Sequence, residues 1–160
     1  MINLQEEIKK CEELTGVKCN VPVTINNKMT KTLGWTMFFG DGINEPIHDI
    51  KIELSGKLMK YGKDKDIVET LRHEYAHYCT VVVKGDHNHN DKQFKNYCKI
   101  LNTSYKPSAE VNLPFKYNTV CSCCGKVTGR YNRSNNIIKR NGKGYKSNCC
   151  HANIKVIQNY

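Results

Sequence analysis

The chain has 160 residues, 39% of them apolar, and 25 Lys+Arg against 15 Asp+Glu leave a formal charge of +10. That apolar share builds a modest core and excludes a disordered chain, and the length suits one compact domain with a small appendage. No run approaches the roughly 18 apolar residues of a membrane span, and the N-terminus lacks the basic start and apolar centre of a secretory signal, so a cytoplasmic protein with no membrane partner is expected.

In chain order, Leu4, Ile8, Cys11 and Leu14 fall on one stripe and predict a first helix. Val21 to Asn26 alternates as a strand, and Leu33 to Phe39 and Ile47 to Leu54 are two further strand candidates between Gly-rich and Asn-rich turns. From Asp64 to about Val82, apolar residues at Ile67, Leu71, Tyr75, Tyr78, Cys79 and Val82 predict a long amphipathic helix, with Asp64 and Asp66 at its start. A last helix is expected from Asn90 to Leu101 through Phe94, Tyr97 and Cys98. Prolines and small residues at Lys106-Pro107-Ser108-Ala109 and Leu113-Pro114 then mark a linker. Charge divides at the same place: residues 1–105 carry 15 Lys+Arg and 14 Asp+Glu, whereas residues 106–160 carry 10 Lys+Arg and only Glu110. The expected organisation is therefore an α+β domain over residues 1–105 followed by a linker and small basic module over 106–160.

The chemistry sits on the long helix. His73-Glu74-Tyr75-Ala76-His77 is an HExxH motif. Residues four apart on a helix are separated by about 40°, so both imidazoles can face one ion, while Glu74, turned by about 100° from His73, can reach a water without occupying a coordination position. The stripe through Leu71, Tyr75 and Cys79 lies on another side, leaving the histidines free to line a cleft. A catalytic zinc needs a third protein ligand and an open position. Both His87 and His89, in the turn-rich stretch after the helix, are close enough in sequence to supply it.

The tail holds a second metal candidate. Nine cysteines in a reducing compartment point to metal binding rather than disulfides, and Cys121, Cys123, Cys124, Cys149 and Cys150 crowd into the last quarter. Cys121-Ser122-Cys123-Cys124-Gly125-Lys126 contains a CxxC-G-K knuckle, whose glycine permits the turn that aims backbone amides at thiolates. Asn141-Gly142-Lys143-Gly144-Tyr145 reads as a hairpin turn of a short β-ribbon.

The segments Asn27 to Gly34, Ile50 to Ser55 and Glu69 to His77, in that order, resemble the SprT-like family of zinc metallopeptidases, to which the Spartan proteases belong; the resemblance spans roughly residues 20–155. It implies a zincin-like fold with a short sheet, the motif helix and a zinc ribbon behind it. It makes His73 and His77 zinc ligands, Glu74 the catalytic acid/base, and the histidine ahead of the final helix the third ligand. The family spaces that histidine three residues before an aromatic; His89, with four residues before Phe94, is nearer that pattern, and His87 is the reserve. In the ribbon the family places cysteines at the positions of Ser147 and Cys150, so Cys149, Cys123 or His151 must supply a fourth ligand; Cys121, Cys124, Cys149 and Cys150 are the expected set.

Four thiolates around one zinc leave the tail with about +7, and Lys126, Arg130, Arg133, Lys139, Arg140, Lys143 and Lys146 are the candidate phosphate contacts, with Tyr117, Tyr131 and Tyr145 available to stack on bases. Single-stranded or otherwise non-sequence-specific DNA is the expected partner. Spartan-type members cleave proteins on DNA, so the resemblance implies a zinc peptidase acting on protein bound or crosslinked to DNA. A peptidase indifferent to DNA, and a non-catalytic DNA-binding ribbon protein with a structural zinc at HExxH, are the alternatives.

Overall fold

The computed structural model describes residues 2–40, 45–85, 88–106, 111 and 113–160. His87, the reserve ligand, and Pro107 to Ala109 of the expected linker lie outside the described residues. The chain divides into two compact units, residues 1–113 and 114–160.

In the first unit, α1 (Leu4–Thr15) begins where the Asn3 side chain accepts the N–H groups of Gln5 and Glu6, and stops at Gly16 in a left-handed conformation. Ile8 and Cys11 are buried, while Leu14 is half exposed at the helix end. Three strands follow: β1 (Val23–Asn26), β2 (Gly34–Phe39) and β3 (His48–Ser55). They form one sheet in the order β1-β3-β2, with β1 parallel and β2 antiparallel to the central β3. On β3, alternation sends Ile52 and Leu54 into the core and Lys51 and Glu53 to the other face.

A short helix, α2 (Gly56–Tyr61), follows β3 directly. Leu58 is its one buried residue, with partly buried Met59 packed on the core beside it, and six residues are too few to display a helical period in sequence. The long helix α3 (Asp64–Lys84) starts with Asp66 accepting the Lys63 N–H at 3.2 Å and ends at Gly85, again left-handed. Its Leu71, Tyr75 and Cys79 are fully buried against the sheet, α1 and α4 (Lys92–Ile100), in one cluster with Ile8, Cys11, Ile52, Leu54, Phe94 and Cys98. Burying each large apolar side chain contributes about 1.5–3 kcal/mol. At the margin of this cluster, Tyr75 and Tyr78 donate their hydroxyls to the carbonyls of Val17 and Lys18, each at 2.7 Å, tying the loop before β1 to the motif helix.

The second unit holds β4 (Tyr117–Cys121), β5 (Val127–Tyr131), the one-turn helix α5 (Asn136–Lys139) and β6 (Ile154–Gln158). Its sheet runs β5-β4-β6, antiparallel throughout. The turn over 141–145 does not join two strands of this sheet, contrary to the hairpin expectation. Asn135 accepts the Ile138 N–H and starts α5 instead, and the turn that follows leads to an isolated bridge between Lys146 and Asn153. The β4/β5 hairpin is closed by the cysteine knuckle itself: Cys121 N–H donates to Lys126 O and Gly125 N–H to Cys121 O, both at 2.9 Å, with Gly125 at φ +71°. Among the described residues of this unit, the buried ones are Thr119, Cys121, Gly142 and Ser147; no large apolar side chain is among them.

Candidate metal centres and catalytic carboxylate

Because His73 and His77 are one helical turn apart on α3, their rings point the same way, and the turn before α4 brings His89 to meet them. His89 Nε2 lies 3.2 Å from His77 Nε2 and 3.3 Å from His73 Nε2. Ligands about 2.0–2.1 Å from a tetrahedral ion stand about 3.3 Å apart, so this spacing is one face of a zinc coordination shell. His73 Nδ1 lies 2.7 Å from the carbonyl of Ser104, which only accepts; Nδ1 therefore carries the hydrogen, and Nε2 presents a lone pair. Burial lowers the pKa of His73, keeping the ring neutral, although the Ser104 carbonyl pulls the other way. Nitrogens converging this closely repel one another unless a proton or a cation joins them, and a divalent cation suits the whole set.

Phe94, fully buried on α4, forms the wall behind the ligands. It stacks on His77 at 4.2 Å between centroids and meets His73 and His89 edge-on at 5.4 and 5.2 Å, restricting ring rotation.

Glu74 is 7% exposed. Burial pushes its carboxyl up to about 7, while donors on Thr36 oppose the shift. The Thr36 hydroxyl reaches Glu74 Oε2 at 3.1 Å and the Glu74 carbonyl at 2.7 Å. Gly34 supplies the room: a Cβ there would sit 2.9 Å from both Glu74 Cγ and Thr70 Cγ2. These groups border a cleft of about 300 Å³ that also includes Leu33, the three histidines and Ser104. A carboxylate of raised basicity beside three imidazoles can exchange protons with a water or amine in that cleft.

In the second unit the thiols of Cys121, Cys124, Cys149 and Cys150 gather with all sulfurs within 4.8 Å of one another, and Cys124 and Cys149 are 3.6 Å apart. Sulfurs about 2.3 Å from a tetrahedral zinc stand about 3.8 Å apart, so the cluster fits a zinc ribbon. Cys123 and His151, the other candidates for fourth ligand, are exposed and outside this cluster. Buried Ser147 donates its hydroxyl to Cys121 Sγ at 3.2 Å. Together with backbone amides of the knuckle it holds the Cys121 thiol down at about 6, whereas Cys150 is pushed up through its hydrogen bond to Cys124. Thiols that ionise at each other's expense in this way are those a shared cation would satisfy.

Lys126, Arg130, Arg133, Lys139, Arg140, Lys143 and Lys146 are all exposed on this unit, and Lys146 donates to Asn153. Tyr117, Tyr131 and Tyr145 are half-buried. Tyr131 and Tyr145 line a hollow of about 450 Å³ shared with Lys126 and Lys146. Among the described residues no helix is long and apolar enough to cross a membrane.

An α+β unit with an HExxH helix, a third histidine from the following turn and a four-cysteine cluster in a trailing ribbon is the arrangement of a metallopeptidase-like protein. The model of the SprT-like family matches residues 4–118, and the chain belongs to that family. A search of curated proteins finds no match.

Sequence reasoning did not find Thr36, Gly34, the Ser104 carbonyl or the Ser147 hydroxyl as parts of these sites. Gly34 falls within the segment that carries the family resemblance, but nothing local to Thr36 or Ser104 signals contact with residues more than thirty positions away. Phe94 served there as an apolar position of the last helix and a spacing marker for His89, not as the wall behind the ligands.

Proposed function

We propose that the chain is a zinc-dependent metalloendopeptidase with a zincin-like first unit, in which His73, His77 and His89 hold the ion and Glu74 is the acid/base. The observation that carries this reading is the convergence of three imidazole nitrogens at tetrahedral spacing beside a buried carboxylate of raised pKa in an open cleft. The chemistry a bound zinc supplies is Lewis acidity, which acidifies water and polarises a carbonyl. Glu74 takes the proton from the attacking water and passes it to the departing amine. The Ser104 carbonyl keeps His73 in the tautomer that ligates, and Phe94 limits the motion of all three rings.

The same reading gives the second unit a zinc held by Cys121, Cys124, Cys149 and Cys150, and a surface for DNA. Eight exposed cations, Lys155 together with the seven named above, on a unit with no Asp or Glu favour phosphates, and two tyrosines beside two lysines in one hollow favour unpaired bases. Holding DNA in this way would raise the local concentration of protein bound to it.

The test is cleavage of casein and histone by wild type and by Glu74→Gln, each with its zinc content measured, with single-stranded DNA added or withheld and salt varied. Expected are about two zincs per chain in both proteins and loss of turnover in the variant. Cleavage should be stimulated by DNA and weaken as salt rises. Turnover that survives Glu74→Gln refutes the catalytic assignment, and salt-independent cleavage unaffected by DNA refutes the DNA partner.

A further inference from the structure

We propose that Thr36 is a positioning residue for Glu74: its hydroxyl fixes the orientation in which the carboxylate faces the cleft. This rests on the peptidase reading above. Thr36 sits on the edge strand β2, opposite Ile52 of β3, and its side chain points across to α3. Its Oγ1 lies 3.1 Å from Glu74 Oε2 and 2.7 Å from the Glu74 carbonyl. A hydroxyl owns one hydrogen, so it serves one of these acceptors at a time. The rotamer of the hydroxyl that holds the carboxylate is the one turned to Oε2, and the carbonyl is the alternative acceptor that keeps the donor satisfied otherwise.

Two further features make this a positioning device rather than an incidental contact. Threonine is β-branched and stiff at χ1, which fixes where its hydroxyl stands. Gly34, two residues earlier on the same face of β2, leaves space against Glu74 Cγ that any side chain would fill. The strand thus clears a seat for the carboxylate at one position and clamps it at the next.

The experiment compares Thr36→Val, which keeps shape and strand propensity but removes the donor, with Thr36→Ser, which restores it, in the full-length zinc-loaded protein. For Thr36→Val, kcat falls roughly 10- to 100-fold with KM within about twofold, while zinc per chain and Tm stay at wild-type values. Thr36→Ser recovers most of the loss. A second readout needs no turnover: in zinc-free protein labelled with 13C at glutamate Cδ, the resonance absent from Glu74→Gln moves in Thr36→Val and stays in place in Thr36→Ser. An active wild type whose kcat and Glu74 resonance are indifferent to Thr36→Val overturns the proposal. A wild type that cleaves nothing overturns the peptidase reading, and with it the kinetic consequence, whereas the resonance still decides whether Thr36 holds Glu74.

Discussion

Replacing Arg72 tests how the motif helix is anchored. Glu7 of α1 is 4% exposed, and its Oε1 accepts from Arg72 Nε at 2.7 Å and from Nη2 at 2.5 Å. Arg72 Nη1 also donates to the Leu101 carbonyl at 3.0 Å, so one guanidinium ties α1, α3 and the end of α4 together. Arg72→Met keeps the volume but leaves a buried carboxylate with only the Lys10 ammonium, 3.3 Å from its other oxygen. Breaking a buried pair costs about 3–5 kcal/mol; because both guanidinium bonds fall on one oxygen and Lys10 remains, about 3 kcal/mol is expected. At roughly 4 °C per kcal/mol for a unit of this size, Tm drops by about 12 °C. The double variant Glu7→Leu/Arg72→Met removes both charges and should recover most of this loss, since apolar replacement of a buried pair is often neutral or better. Thermal denaturation of the two single variants and the double variant, followed by circular dichroism, completes the cycle. Additive losses, or a harmless Arg72→Met, would refute the reasoning.

Two further outcomes follow from the same reading of the fold. The second unit buries too little apolar surface to fold on that alone, so chelating the zinc proposed for its cysteine cluster should abolish hydrogen-exchange protection over β4, β5 and β6; retention of protection after verified zinc loss would contradict this. Glu53 accepts from Asn26 and Trp35 and pairs with Lys51, and its pKa is lowered from 4.5, with the Asn26 hydrogen bond as the largest cause. Its stabilisation is therefore complete above the unfolded pKa and lost as pH falls through the lowered folded value. Glu53→Gln should cost stability at pH 7, and the gap to wild type should shrink in acid; denaturant titrations at pH 7 and in acid below that folded pKa check this, and a constant gap would refute it.

Periodicity made α1, α3, α4 and the three strands of the first sheet legible, because each is long enough for a stripe or an alternation to repeat. The short helices α2 and α5 left no such trace, with one buried anchor in the first and none in the second. At 141–145 the glycines correctly signal positive φ, but Asn135 caps a helical turn just before them, and that local competition decided against a hairpin.

What the amino-acid order determined by itself is the set of groups one turn of helix or one tight loop can align. His73, Glu74 and His77 share α3 because a helix repeats every 3.6 residues, and Cys121 and Cys124 share a knuckle because glycine permits its turn. What only the tertiary structure decided is everything joined across the chain. Packing of α4 brings His89 to the two helical imidazoles and turns the Ser104 carbonyl onto His73; pairing of β2 with β3 carries Thr36 to Glu74; and the ribbon sheet directs both Cys149 and Cys150 at the knuckle, with Ser147 bonded to Cys121. Local backbone geometry has a fixed period that can be read from one stretch of residues, whereas these meetings depend on which faces bury against each other, and distant segments carry no mark of that.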